Sequence, residues 1–253
     1  MPCSSMLFAL WAIAANGTAG LDASQVEAAL KDAEPAPALR AAFRATLTSE
    51  KAVRQIEFDP LGAPGQRFTV NAPFGDDPEL DRIVYDWSQE AQPDVRLYAD
   101  DLRASMGRGT VKQSQTGWNI SFTHKLSDND GPMDAMVSQQ MQGSMFLNAA
   151  SGHLERLTYR IREPFRTEDG SVVTDYSQAY RFGRSERWGI TFVTGYRLEA
   201  AGGRFGIRDS RTFQVDITDV AFTLANDAAF IEDSKPYRPR NPQPVDHAWA
   251  GEN

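Results

Sequence analysis

Three histidines, His124, His153 and His247, are the residues best suited to bind a metal or shuttle a proton. No two of them have ligand spacing, and HExxH is absent, so a metal site built on them lacks its usual second ligand. Asp128-Asn129-Asp130-Gly131 resembles part of a calcium loop, but Leu126 stands where an acid is required and Val137 where a glutamate is. A polar turn is the simpler reading. GxSxG, GxxxxGK[ST] and a strand-GxGxxG-helix unit are all missing. Gly202-Gly203-Arg204-Phe205-Gly206 is glycine-rich but lies between strand-like runs, which suits a hairpin with a bulge better than a phosphate cradle. The acidic pairs Asp76/Asp77 and Asp100/Asp101 fall at expected helix starts, where they balance the helix dipole. The linear sequence thus carries no catalytic motif, and the expectation is a non-enzymatic protein with no cofactor and no metal.

Charge and composition narrow the partners. The net charge of -8 disfavours nucleic acid. Residues 151–212 nevertheless hold 11 basic side chains, all arginine, against 8 acidic ones. Arginine binds oxyanions with a planar fork. Placed on alternating strand positions, these arginines are expected on the solvated outer face and rims of a sheet. The single cysteine, Cys3, precedes an apolar stretch, so an exported, processed chain would have no thiol for a disulfide, zinc site or nucleophile. Met6 to Ala15 (MLFALWAIAA) has the length of a signal-peptide core and is too short to span a bilayer. Residues 1–5 carry no Lys or Arg, which departs from a typical leader. The expected organisation is a signal peptide over 1–20, one β-rich domain over 21–233 and a proline-rich tail over 234–253, in an exported, periplasmic or secreted protein that does not span the membrane.

The elements follow from periodicity. Asp22–Ala33 predicts an amphipathic helix with a Ser24/Glu27 capping box. Leu39, Ala41, Phe43, Ala45 and Leu47 alternate with polar residues, as in a half-buried strand. Val53–Phe58 and Arg67–Val70 predict two more strands. Asp77-Pro78-Glu79 is a helix start, and Leu80, Ile83, Val84, Trp87 and Ala91 follow on one face. A short helix near Leu97–Ser105 comes next. From Gly109 onward the period is two. Long runs at 153–166, 171–184, 187–200 and 204–224 are separated by turn signals at Ala150-Ser151-Gly152, Glu168-Asp169-Gly170, Ser185-Glu186 and Gly202-Gly203. In the third run Trp188, Ile190, Phe192, Tyr196 and Leu198 are expected on one face. Strands this long exceed the usual five or six residues about twofold, and a meander of them must twist and curl. The fold class is therefore mainly β with a few helices: a long antiparallel curled sheet, an open half-barrel, covered by helices.

A curled sheet has an inner face that side chains, a lid or a ligand must fill. Phe43, Phe58, Phe68, Trp87, Trp118, Phe122, Tyr159, Phe192, Tyr196 and Phe213 are the candidate lining, with Tyr180 and Phe182 also on strand faces. Two readings stand: an ordinary core, or a cavity for an apolar ligand such as a lipid or acyl chain.

In its order of elements the chain resembles the periplasmic lipoprotein-carrier (LolA/LolB-like) family. The resemblance rests on the apolar leader, the helix before the strand Leu39–Leu47, and the strand–turn–strand Met145-Phe146-Leu147-Asn148-Ala149-Ala150-Ser151-Gly152-His153-Leu154. It covers about residues 22–225 as a pattern of elements, without a signature motif. It implies an open half-barrel with the Asp77–Ala91 helix as a lid element, and a non-enzymatic carrier or receptor for acyl chains. Tyr176 through Val220 matches no motif of that family, and no individual residue role carries over. The alternative expectation is a structural or protein-interaction module of the cell envelope with no small ligand, in which the arginine-rich faces or the tail dock a partner.

Overall fold

The computed structural model describes Val26, Leu30 and residues 39–63, 66–89, 95–97, 99–125, 138–167, 170–204 and 207–224. The expected leader, most of the Asp22–Ala33 helix, the loop around Asp128, and the tail with His247 lie outside these residues.

The architecture is mainly β, with an open sheet that does not close on itself. In chain order its strands are β1 (Leu39–Ser49), β2 (Ala52–Phe58), β3 (Phe68–Gly75), β4 (Met106–Gln113), β5 (Gly117–His124), β6 (Met141–Asn148), β7 (Leu154–Ile161), the short β8 (Phe165–Arg166), β9 (Val172–Ser185), β10 (Ile190–Arg204) and β11 (Ile207–Leu224). Helix α1 (Pro78–Ser88) and helix α2 (Ala99–Ser105) lie between β3 and β4. The sheet order is β3-β2-β1-β11-β10-β9-β7-β6-β5-β4, with β8 paired to β9 at the side. The neighbours along it pair antiparallel. The C-terminal meander thus accepts the N-terminal strands through one long-range seam, Leu39↔Leu224 to Ser49↔Phe213.

Local chemistry explains the breaks. Gly152 takes a positive φ of 71° in the turn between β6 and β7, where Asn148 Oδ1 accepts from the backbone N–H of Ala150 and Ser151. Gly75 ends β3 at φ 73°, and a Cβ there would stand 1.9 Å from the Lys51 carbonyl oxygen, so only glycine fits. Bulges lie between Ala42 and Arg44, between Val193 and Gly195, and at Ala201/Gly202.

The strands depart from the sequence expectation in two places. Gly202 and Gly203 are not the turn. They sit within β10, paired with Val173 and Val172 on one side and with Asp209 and Arg208 on the other, and β10 runs on to Arg204. The 153–166 run is split by a bend after Ile161 into β7 and β8. Its Pro164 cannot donate to a ladder.

Candidate functional site: the helix-covered inner face

Cross-strand register carries one face of the sheet from edge to edge. One row runs Arg54, Leu47, Val215, Tyr196, Tyr180, Leu157, Met145, Ile120, Val111. The row beside it runs Ser49, Phe213, Leu198, Gln178, Tyr159, Gly143, Phe122, Gly109. Phe68, Phe58 and Phe43 continue the face at the β3 end. Most of these side chains are buried, several almost completely: Phe43 is 2% exposed, Phe58 3% and Phe122 1%. Burying a large apolar side chain contributes roughly 1.5–3 kcal/mol, so this face is the main stabilising surface of the domain.

Helix α1 lies over the β1–β2 end. Asp77 caps it: Oδ1 accepts from the N–H groups of Glu79 and Leu80. The same carboxylate accepts from the Ser49 hydroxyl at 2.6 Å, which ties the helix start to β1. Burial works against ionisation of Asp77. The bonds from Ser49, Leu80 and Glu79 and the charge of Lys51 outweigh it and hold the carboxyl below its ordinary value. The nearly buried guanidinium of Arg54 donates from Nε to Asp81 at 2.7 Å and from Nη1 to the carbonyl oxygens of Val53 and Phe74. Arg211 on β11 pairs with Glu79. These polar tethers all act on the first turns of α1. Its last turn is held by apolar contact, with the Trp87 ring 5.5 Å from that of Phe43. Leu80 and Val84 face the core.

Further along the sheet the face turns partly polar. On β9, Gln178 Nε2 donates to the Tyr176 hydroxyl at 2.6 Å, and the Tyr180 hydroxyl donates to Gln178 Oε1 at 3.2 Å. All three residues are buried. Tyr196 lies 4.9 Å from Tyr180, ring to ring. On α2, the Ser105 hydroxyl meets that of Tyr159 at 3.4 Å. Burial, followed by the neighbouring Tyr196 and Tyr159, pushes the Tyr180 phenol well above its ordinary value, so it stays protonated and donates. The stripe is neutral. It can hydrogen-bond a polar group but offers no activated nucleophile or base.

The predicted lining separates into groups. Phe43, Phe58 and Trp87 meet under α1. Phe68 flanks them across β2–β3. Phe122 and Tyr159 meet edge to face at 6.0 Å, with His124 5.3 Å from Tyr159. Tyr196 and Phe213 share the β10–β11 part of the face. Trp118 pairs with Leu147 and Gln113, away from the polar stripe. Phe192 departs from the expected alignment. The bulge between Val193 and Gly195 puts Val193, opposite Phe182, in phase with Tyr196, while Phe192 pairs with Gly183 and packs on Phe222. Trp188 lies in the turn before β10. Tyr176 and Gln178 were missing from the predicted lining. The alternation Tyr176, Gln178, Tyr180, Phe182 contains them, but a glutamine inside an apolar series reads as an outward position. His153 lies 3.8 Å from Glu186 on the rim.

The fold and this face define a class: an open, helix-covered antiparallel sheet with an aromatic inner surface. Comparison with family models, curated proteins and solved structures gives no match to this chain.

Proposed function

We propose that this chain is a non-enzymatic lipid- or lipoprotein-binding carrier, or envelope accessory protein, that holds an apolar chain on the inner face of its sheet. Export and a fold-level kinship with the LolA/LolB-like carriers belong to the same proposal. The observation that carries it is the asymmetric cover. The apolar β1–β2 end of the inner face lies under a helix tethered by polar contacts at its first turns and by Trp87 at its last. Such a helix can lift at the Trp87 end while Asp77, Glu79 and Asp81 keep it attached. An acyl chain entering there would exchange one apolar contact for another. The neutral Tyr176–Gln178–Tyr180 stripe would receive its ester or carboxyl head.

One observation favours a second reading, a structural or interaction module without a small ligand: the inner side chains are already close to fully covered by the chain itself. Titration with a fluorescent polyene fatty acid separates the two. The carrier reading predicts saturable binding at one equivalent with energy transfer from Trp87, weakened in Trp87→Ala. Absence of saturable binding favours the module.

A further inference from the structure

The outer face of the sheet divides into two halves of different electrostatic character. Across β9, β10, β11, β1 and β2 three of its arginines sit in ion pairs. Arg44 pairs with Glu57 and Asp219, Arg181 with Asp216, and Arg197 with Glu199. Across β4 to β7 none does among the described residues. A furrow of hydroxyls, Thr110, Ser121, Ser144 and Thr158, crosses the four strands in register. Lys112 and Arg156 stand in the row on one side of it, and Gln142 and Arg160 in the row on the other. Arg162 stands just beyond β7. Ser121, Gln142, Ser144, Thr158, Arg160 and Arg162 line an open groove of about 510 Å³. Arg156 and Arg160, four residues apart on one strand, stand about 13 Å apart.

Among the described residues none of these cations pairs with a carboxylate. Arg156 lies over the Phe146 ring, and Arg162 donates to the Gln139 carbonyl oxygen. Arg160, Lys112 and the groove's hydroxyl and amide side chains meet no partner among the described residues. Strands β4, β5 and β6 contain no carboxylate. Glu155, the one carboxylate on β7, accepts from Asn148, and the exposed Glu163 follows Arg162 just beyond the strand.

We propose that this β4–β7 outer face docks on an anionic phospholipid bilayer, with headgroup phosphates seated in the hydroxyl furrow between the two banks of cations. The arginines stay exposed and the groove is open. That suits a broad charged surface better than a small anion, which would be enclosed. The rest of the chain is acidic, but a planar bilayer senses chiefly the charges within a Debye length of about 8 Å, so the facing patch dominates. Arginine forks and hydroxyls are matched to phosphate oxygens. The proposal concerns the face opposite the apolar one and stands whether or not the inner face holds a ligand.

The test is co-sedimentation of the full chain with vesicles of phosphatidylcholine alone and of phosphatidylcholine mixed with phosphatidylglycerol. Binding is expected only to the mixed vesicles and is expected to fall as salt rises. Each cation near an anionic surface is worth about fivefold in affinity. The triple variant Arg156→Gln, Arg160→Gln, Arg162→Gln should therefore bind roughly a hundredfold more weakly. Arg44→Gln, on the ion-paired half, should bind as the parent does. These exposed substitutions are expected to leave the melting temperature unchanged, which checks folding. Equal binding by the triple variant overturns the proposal, as does absence of binding to the mixed vesicles. Retention on a soluble polyanion such as heparin without vesicle binding also overturns it, and reassigns the patch.

Discussion

Gly143→Ala is the sharpest probe of how the inner face is filled. Gly143 stands on β6 between Phe122 of β5 and Tyr159 of β7. A Cβ built there would lie 2.2 Å from Phe122 Cε2 and 2.3 Å from Cζ, so the ring lies across the glycine. Phe122 is 1% exposed, and Tyr159 meets it edge to face, so the ring has no free space to swing into. One added methyl must displace the ring or open the β5–β6 pairing. Overpacking of this kind costs about 1–3 kcal/mol, and full burial puts this site toward the upper end. In a domain of this size that lowers the melting temperature by roughly 4–10 °C. Urea unfolding followed by circular dichroism measures the cost, and a double-mutant cycle with Phe122→Leu assigns it. The smaller side chain makes room for the methyl, so the double variant should be more stable than the sum of the singles by at least about 1 kcal/mol. Additive behaviour, or Gly143→Ala within about 0.5 kcal/mol of the parent, would refute the packing described for this row.

Three further outcomes test the cover and the polar stripe. Asp77→Ala should cost about 0.5–2 kcal/mol through the lost cap. Because the Asp77 carboxyl is depressed in the fold, its contribution is present above its unfolded pKa and is lost as pH falls through the lower folded value. The parent should therefore lose stability more steeply than Asp77→Ala below about pH 4, in stability measured against pH. Asp81→Asn leaves the Arg54 charge without its carboxylate. Since Asp81 is half exposed and screened, the expected cost is only about 1–2 kcal/mol, and amide exchange should quicken in residues 78–88 while the sheet stays protected. Tyr180→Phe leaves Gln178 Oε1 without its donor, at about 1–2 kcal/mol. The folded phenol keeps its proton after the unfolded one ionises, so the parent should lose stability as pH rises above about 10, and the variant should lose it with a slope smaller by about one proton.

Local patterns were readable and long-range ones were not. Strand β1 is legible in the alternation Leu39 to Leu47, and α1 in Asp77-Pro78-Glu79, because period and capping are set by neighbours in sequence. The seam between β1 and β11 is not, since nothing local distinguishes Val215 from any other apolar partner for Leu47. Phe192 is out of phase with Tyr196 in the β9–β10 register because one bulged residue between Val193 and Gly195 reverses the alternation, which no local pattern announces. The Gly202-Gly203 pair has the composition of a turn, but it occupies a bulged stretch of strand that runs on to Arg204. Of the candidate site, the aromatic members were visible by type. Gln178 was hidden because its polarity is satisfied by Tyr176 and Tyr180, two and two residues away on the same strand face.

The central claim is that the inner face beneath α1 holds an apolar chain. Native mass spectrometry of the protein isolated without detergent, before and after incubation with phospholipid vesicles, tests it most directly. A one-to-one lipid adduct that survives transfer and disappears when the protein is unfolded is the expected result. Only the mass of the bare chain, before and after incubation, would contradict it.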